Sequence, residues 1–206
     1  MNIIVLLGKS GSGKDAMQNL LINYFKKFEI VKLTSTRPMR ENEKQGDPYF
    51  FTTKDNFLNN LNNFIEYRKY TTLLNNVKDD WYYGVNKHSL EEDKNYILIN
   101  TIDGLNKIKE YFPNANIISF YLDVSDIVRT KRAELRGGFD KIEWNRRLEE
   151  DNNDFKNVLE KVDFIINNEE ENLNLTFEKI KLILIKKSIS SWKKYFKFFL
   201  FMKIIN

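Results

Sequence analysis

The first fifteen residues constrain the fold of this chain more than any other segment. The apolar run from Ile3 to Leu7 reads as a short buried strand, and it leads directly into the glycine-rich turn GKSGSGKD, residues 8–15. A helix is predicted to begin near Lys14. A strand, a glycine-rich turn and a helix N-terminus in this order predict a loop whose backbone N–H groups surround a polyphosphate, with Lys14 reaching its β- and γ-phosphates.

The last position of this loop departs from the usual pattern. That pattern ends in Ser or Thr, whose hydroxyl holds Mg²⁺, whereas this chain has Asp15 followed by Ala16. A carboxylate is a good ligand for Mg²⁺, so Asp15 is predicted to bind the metal directly or through water. Its negative charge beside a triphosphate equally favours weaker nucleotide binding. The loop residues predicted to bind the polyphosphate are Gly8, Lys9, Ser10, Gly11, Ser12, Gly13, Lys14 and Asp15, and the motif alone leaves GTPases, ATPases, motors and kinases open.

Composition narrows the class of protein. A chain of 206 residues with 42% hydrophobic and 30% charged residues predicts a soluble globular protein with a substantial core. It has no cysteine, which excludes disulfides and thiolate metal sites and favours a cytoplasmic location. The net charge of +4 shows no basic clustering outside the C-terminal tail, so nucleic acid is not expected as a partner. No basic segment precedes the first apolar run, which is therefore interpreted as a core strand and not a signal peptide.

Strands alternate with helices along the chain, which predicts an α/β fold with a parallel sheet covered on both sides. Residues 64–86 are rich in tyrosine and threonine and predict short strands that bring polar groups over a site. Thr53 is predicted to cap a helix with Phe57, Leu58 and Leu61 facing inward. Further helices are predicted over residues 123–135 and 142–159, and a last one carries Leu173, Phe177, Ile180 and Leu184 on one face.

The tail at residues 188–206 is basic and aromatic and has two interpretations. It is either a terminal amphipathic helix that packs on the domain or a segment that attaches to a membrane or a partner. Its longest uncharged run, Phe198 to Met202, is too short to span a bilayer.

A second cluster follows in residues 34–49, TSTRPMRENEKQGDPY. Arg37 and Arg40 are three residues apart, and Tyr49 lies nine residues further on. Two guanidinium groups this close repel each other unless an anion lies between them, and the planar fork of Arg suits a phosphate. The cluster therefore predicts a second anion site; a solvated basic loop is the alternative.

Together these motifs resemble the guanylate kinase family of nucleoside monophosphate (NMP) kinases, from Ile3 to about Lys187. The resemblance implies a three-layer P-loop NTPase fold with its core at 1–33 and 95–187, an inserted NMP-binding lobe at about 34–90 and a helical lid at about 132–147. The motifs that carry it are the phosphate loop, STRPMR with GDPYFF behind it, Phe64-Ile65-Glu66, Tyr82-Tyr83-Gly84, the set Arg132, Arg136 and Arg147, and the strand end from Phe164 to Asn167.

The resemblance also implies roles for individual residues. Arg37, Arg40, Tyr49 and Tyr83 correspond to residues that hold the acceptor phosphate, and Glu66 to the carboxylate that reads the guanine edge. Arg132, Arg136 and Arg147 correspond to arginines that close over the triphosphate, and Asn167 to the residue beside the adenine of ATP. The implied catalytic residues are Lys14, Arg37, Arg136 and Arg147; the implied cofactor is Mg²⁺, the substrates are ATP and GMP or dGMP, and the chain is a monomer or a homodimer.

Two departures leave the acceptor base open. Val85 stands where the family has a hydroxyl residue that contacts guanine, and Thr101 stands where it has an aspartate. The acceptor is therefore GMP, dGMP or another monophosphate, and a non-catalytic binding module of the same fold is the rival from another class. Gly137-Gly138 is predicted to be the hinge of the lid. The single histidine, His88, is predicted to lie at the surface.

Overall fold

The computed structural model describes residues 1–41, 43–74, 77–136, 139–169 and 172–187. The predicted hinge Gly137-Gly138 and the tail at residues 188–206 lie outside these ranges. Met1–Glu169 forms one compact unit, and the second unit is Glu170–Asn206. None of the helices in the described ranges combines the length and the apolar content needed to cross a membrane.

Strands and helices alternate as the sequence predicts. The strands are β1 (Asn2–Leu7), β2 (Phe28–Ile30), β3 (Thr34–Ser35), β4 (Phe50–Phe51), β5 (Phe64–Leu74), β6 (Val77–Asn86), β7 (Asn95–Ile99), β8 (Asn116–Asp123) and β9 (Phe164–Asn167). The helices are α1 (Lys14–Tyr24), α2 (Lys54–Asn59), α3 (Ile102–Tyr111), α4 (Asp126–Leu135), α5 (Lys141–Asp154) and α6 (173–187). Short 3₁₀ turns cover 61–63, 87–89 and 158–160.

The core is a five-stranded parallel sheet with the order β2-β7-β1-β8-β9, which confirms the predicted α/β architecture. Strand β1 lies in its centre, and the side chains from Ile3 to Leu7 are all buried, as the unbroken apolar run predicts. The carboxyl ends of parallel strands meet at one edge of a sheet. The phosphate loop after β1 and residues Asn100 and Thr101 after β7 therefore share that edge.

A second sheet, with the order β4-β3-β6-β5, is inserted between β2 and β7. Strands β5 and β6 pair from Glu66–Val85 to Leu74–Val77, so they are longer than the short strands predicted. Of the three apolar residues predicted to face inward near α2, only Phe57 is buried. Leu58 is 37% exposed, because α2 has fewer than two turns and presents one side chain to the sheet. Leu61 is half-buried in a 3₁₀ turn.

The boundaries of two helices also differ from the prediction. Helix α4 begins after its cap Ser125, because Asp123 still belongs to β8. Helix α5 begins after Asp140, whose Oδ1 accepts hydrogen bonds from the N–H groups of Ile142 (2.8 Å) and Glu143 (3.0 Å). It ends at Asp154, five residues before the predicted end, and Asn157 beyond it adopts a left-handed conformation with φ of 59°.

Candidate active site

A cavity of about 520 Å³ lies at the carboxyl edge of the core sheet, between the phosphate loop, the inserted sheet and α5. It brings together nine of the residues that the sequence predicts to bind nucleotide. They are Gly8, Ser10, Lys14 and Asp15 on one side and Arg37, Arg40, Tyr49, Glu66 and Tyr83 on the other. Arg147 of α5 lines the same cavity.

The phosphate loop needs glycine for two different reasons. A Cβ on Gly8 would lie 2.5 Å from Ser12 Oγ and 3.0 Å from the carbonyl oxygen of Leu122, so there is no room for a side chain. Gly13 caps α1 in a left-handed conformation (φ 90°) and offers no side-chain cap. The first N–H groups of α1 are therefore left for another acceptor, which makes this helix end an anion site.

Lys14 bends back over the loop. Its Nζ donates hydrogen bonds to the carbonyl oxygens of Gly8 (2.8 Å) and Lys9 (3.1 Å). Burial lowers the pKa of Lys14, while the negative charges of Asp15 and Asp151 raise it. Asp15 is exposed in the first turn of α1 and lines the cavity.

A buried ion pair that the sequence analysis missed holds the loop from beneath. The Asp151 carboxylate accepts a hydrogen bond from the N–H of Ser10 (2.8 Å), and Arg129 Nη1 donates to the carbonyl oxygen of Ser10 (2.7 Å). Arg129 and Asp151 also pair with each other at 2.9 Å. Arg129 is fully buried and Asp151 is 7% exposed. Arg129 lies in the first turn of α4 and Asp151 in the last turn of α5. A charged residue near a helix end is a weak sequence signal for a buried ion pair, because most charged residues face solvent.

Seven other predicted donor-side residues do not line the cavity: Lys9, Gly11, Ser12, Gly13, Arg132, Arg136 and Asn167. Arg132 donates from Nη2 to the carbonyl oxygen of Asn168 (2.8 Å), and Asn168 in turn donates from Nδ2 to the carbonyl oxygen of Ser12 (2.8 Å). Asn167 and Arg136 are exposed, with Arg136 at the C-terminal cap of α4. Lys9 contacts α5 through Asn152 (2.6 Å). Asn167 is the last residue of β9, and it is the buried Asn168 after it that contacts the loop.

The acceptor side contains an anion that the sequence analysis did not assign. Arg37 is 6% exposed, and its Nη2 pairs with Glu43 Oε1 at 2.7 Å. The second Glu43 oxygen accepts a hydrogen bond from the backbone N–H of Arg40 (2.8 Å). Glu43 thus gives the Arg37 guanidinium a partner within the chain, and the binding of a phosphate by Arg37 and Arg40 stays a prediction. Arg37 nevertheless lines the cavity, as do the Arg40 and Tyr49 side chains.

Two tyrosines complete this end of the acceptor side. The rings of Tyr49 and Tyr83 meet edge to face with centroids 5.6 Å apart. Burial raises the pKa of Tyr49 to about 12, and burial also raises the pKa of Tyr83. Both phenols are therefore neutral at physiological pH and able to donate an O–H hydrogen bond to an anion.

Helix α5 carries a network of charges along the cavity. Arg146 pairs with Glu143 (2.7 Å) and Glu150 (2.9 Å), and Arg147 Nε donates to Glu143 Oε1 (2.8 Å). Although burial opposes the shift, these two arginines lower the pKa of Glu143 to about 2. Glu150 also lies 3.6 Å from Arg68 of β5, so it links the helix to the inserted sheet.

At the far end of the cavity, Glu66 is 7% exposed and accepts a hydrogen bond at Oε1 from Asn100 Nδ2 (3.0 Å). The sequence analysis did not single out Asn100. Thr101 caps α3 by accepting a hydrogen bond at its hydroxyl from the N–H of Gly104 (3.3 Å). Val85 is fully buried in the hydrophobic core. His88 does not line the cavity and is exposed, as predicted.

Comparisons with known proteins place the chain in one family. A family model for guanylate kinase matches residues 1–187. The chain is similar to a guanylate kinase of Wolinella succinogenes, with 31% identity over 172 residues that cover 81% of this chain and 76% of the relative. It is similar to a guanylate kinase of Wigglesworthia glossinidia brevipalpis as well, with 33% identity over 190 residues, 87% of this chain and 84% of the relative.

A solved structure shares the fold. The crystal structure of guanylate kinase from Anaplasma phagocytophilum superimposes with a TM-score of 0.63 over 90% of this chain and 86% of its own, at 19% sequence identity. At that identity the likeness concerns the course of the backbone.

Proposed function

This chain belongs to the guanylate kinase family, and on that premise we propose that it transfers the γ-phosphoryl group of ATP to GMP, giving ADP and GDP. One observation supports this most strongly. Residues of the phosphate loop and the cluster of Arg37, Arg40, Tyr49 and Tyr83, which come from two different sheets, line one cavity. A site built this way holds two anions facing each other, which is what transfer between two nucleotides requires.

The residues contribute position and charge, and no covalent protein nucleophile is needed. Lys14 and the free N–H groups at the start of α1 stabilise the triphosphate. The guanidinium groups of Arg37 and Arg40 and the two phenols hold the acceptor phosphate. Arg147 lines the cavity, and its positive charge partly offsets the burial that raises the pKa of Tyr83, which supports the assignment of Arg147 to the group in transit between the two halves.

The donor side fits a magnesium ion. Mg²⁺ usually binds through one or two carboxylates together with substrate phosphates and water. Asp15 offers such a carboxylate, exposed in the cavity next to Lys14. Within the described ranges no group of three or more His, Cys, Asp or Glu side chains is gathered for a metal, which suits an ion that is held largely by the phosphates. We assign Asp15 to the ion, which would neutralise charge on the transferred group.

The other roles are part of the same proposal. We assign Arg132, Arg136 and Arg147 to closure over the triphosphate, with the lid at about 132–147 and the NMP-binding lobe at about 34–90. The positive charge of Arg136 lowers the pKa of Lys14, which supports its proximity to the donor phosphates. We also propose that Asn167 lies beside the adenine of ATP. The protein is proposed to be cytoplasmic and to be a monomer or a homodimer.

The rival interpretation is a binding module that has kept the fold and lost the chemistry. The phosphate loop with Lys14 and the acceptor residues Arg37, Arg40, Tyr49 and Tyr83 are all present, and a module that only binds proteins has no need of them. Another monophosphate remains the alternative acceptor, because Val85 is buried in the core and has no hydroxyl, and Thr101 offers no carboxylate to the base.

A coupled assay of ADP release against GMP, dGMP, AMP, IMP, CMP and UMP, with ATP and Mg²⁺, tests the proposal. We expect GMP to be preferred. Preference for another monophosphate would correct the acceptor and keep the reaction. Release that is no faster with any monophosphate than without one would refute the kinase and favour the binding module.

A further inference from the structure

The base end of the cavity contains a carboxylate and an amide in direct contact. Glu66, in the bulged start of β5, is 7% exposed, and Asn100, just after β7, donates from Nδ2 to Glu66 Oε1 at 3.0 Å. Both side chains line the cavity. A buried carboxylate needs partners for its oxygens, and this amide supplies one.

The orientation of the Asn100 amide is fixed by its surroundings. Its Oδ1 accepts a hydrogen bond from the N–H of Thr101 (2.8 Å), which can only donate, so the NH₂ group must face Glu66. The side chain also occupies the space where a Cβ on Gly104 would lie, 2.1 Å from Asn100 Oδ1. A glycine at the start of α3 thus makes room for this amide.

The two neighbouring positions carry no charge. Thr101 lines the cavity and its hydroxyl accepts a hydrogen bond from the N–H of Gly104 (3.3 Å), while Val85 is fully buried in the core next to its strand partner Glu66. Glu66 is therefore the ionisable group among these three side chains, and Asn100 contacts it directly.

We propose that Asn100 is a positioning residue that sets the base preference of this kinase by holding Glu66 ionised and correctly oriented to accept hydrogen bonds from guanine. Guanine presents two donors on one edge, N1–H and the 2-amino group, which match the two oxygens of an ionised carboxylate. Adenine presents an acceptor at N1 and would leave a carboxylate oxygen unpaired, at a large cost in a buried site. The inference rests on the proposed function.

The charges around Glu66 determine the expected pH dependence. Burial raises the pKa of Glu66, and the hydrogen bond from Asn100 lowers it. Lys107 of α3 and Arg68 of β5 lower it further, whereas Asp103 of α3 raises it. The carboxylate is ionised above its pKa, so loss of the Asn100 bond moves the onset of guanine binding to higher pH.

Asn100→Leu and Asn100→Asp test the proposal in steady-state kinetics. For Asn100→Leu we expect KM for GMP to rise about tenfold, the value for one lost hydrogen bond to a charged group. The acid limb of kcat/KM for GMP should move to higher pH, while kcat and KM for ATP stay within about twofold of the parent. Asn100→Asp keeps an oxygen that accepts the hydrogen bond from the N–H of Thr101, and it places a second carboxyl group against Glu66. The acid limb of kcat/KM for GMP should therefore move to still higher pH in this variant.

Asn116→Leu is the matched control, because Asn116 is an exposed residue at the opposite edge of the sheet that donates to Asn2 Oδ1 (2.9 Å). We expect its kinetics to equal those of the parent. Asn100→Leu is also measured in a Glu66→Gln background, where it should change KM for GMP by less than about twofold, since Asn100 acts through the Glu66 charge.

Three results separate the possibilities. If the parent does not phosphorylate GMP, the proposed function fails. If the parent does so and both Asn100 variants keep its KM and acid limb, the inference alone fails. A full additional loss from Asn100→Leu in the Glu66→Gln background would also overturn it. Thermal unfolding of each variant identifies losses due to misfolding, and Asn100→Asp carries the test if Asn100→Leu does not fold.

Discussion

The two halves of the cavity are built in different ways. The donor half is one contiguous segment, residues 8–15, at the junction of β1 and α1. The acceptor half is assembled from distant segments, with Arg37 after β3, Tyr49 before β4, Glu66 in β5 and Tyr83 in β6. The geometry of a contiguous loop is determined by its own glycines. An assembled site depends on a lobe that positions each side chain separately.

The halves also differ in what their charges contact. Beneath the loop, the fully buried Arg129 is paired with Asp151, and both are hydrogen-bonded to the Ser10 backbone. On the acceptor side, Arg37 is paired with Glu43, and both side chains line the cavity where a substrate can reach them. We expect the first pair to govern stability and the second to govern affinity.

The largest expected effect separates the halves by substrate. Lys14→Ala should lower kcat by about 10³-fold and strongly weaken ATP binding, because Lys14 is the cation that lies within the phosphate loop itself. Arg37→Ala should lower kcat/KM for GMP by about 10²-fold and leave ATP binding intact. Calorimetric titration with ATP and steady-state kinetics measure both. Lys26→Ala, at an exposed lysine, is the control. Equal loss of ATP binding in the Lys14 and Arg37 variants would contradict two separate half-sites.

The next effect compares the two ion pairs. Arg129→Met should reduce the free energy of unfolding by about 3 kcal/mol, because it leaves the Asp151 charge buried without its partner. The double variant Arg129→Met/Asp151→Leu should recover part of that loss. Glu43→Gln should cost about 1 kcal/mol, since Arg37 can still reach solvent in the cavity. Urea unfolding gives all three values, and a larger loss for Glu43→Gln than for Arg129→Met would reverse the comparison.

The smallest effect concerns α5, which lines both halves. The folded-state pKa of Glu143, about 2, lies below the usual value of about 4.3. Its contribution to stability is therefore complete above about pH 4.3 and disappears as the pH falls towards 2. Glu143 is buried, but its partners Arg146 and Arg147 are 28% and 44% exposed, so screening by solvent limits the expected contribution to about 1 kcal/mol. Parent and Glu143→Gln should differ by this amount in urea unfolding at pH 6 and converge near pH 2. A constant difference across that range would rule out the linkage.

Much of the fold could be predicted from the sequence, because its signals are local. The apolar run of β1, the glycines before Lys14 and the alternation of strands with helices each depend on neighbouring residues. The ends of α5 and the lengths of β5 and β6 depend on tertiary pairing, which no local pattern reports. The prediction that Leu58 is buried was wrong, because its helix is too short to bury two faces and the local pattern does not report that length.

The site divides along the same line. The residues of the phosphate loop and of the Arg37 segment carry recognisable spacing. Arg129, Asp151, Asn100 and Glu43 do not, because each acquires its role from a partner far away in the chain or from a fold that turns it inward. Ser10 and Asp151 are joined across 141 positions. A charged residue on a helix usually indicates a solvent-exposed face, and only the packed structure reveals the exceptions.

The two hydrogen bonds that hold the backbone of Ser10 reduce the entropic cost of nucleotide binding. Fixing the backbone of one residue costs about 1–2 kcal/mol of conformational entropy. With both its N–H and its carbonyl oxygen engaged by buried charges, this residue of the loop is ordered when the chain folds. An arriving triphosphate then meets a ring of donors that is already in place, so its affinity is not reduced by the cost of ordering that residue.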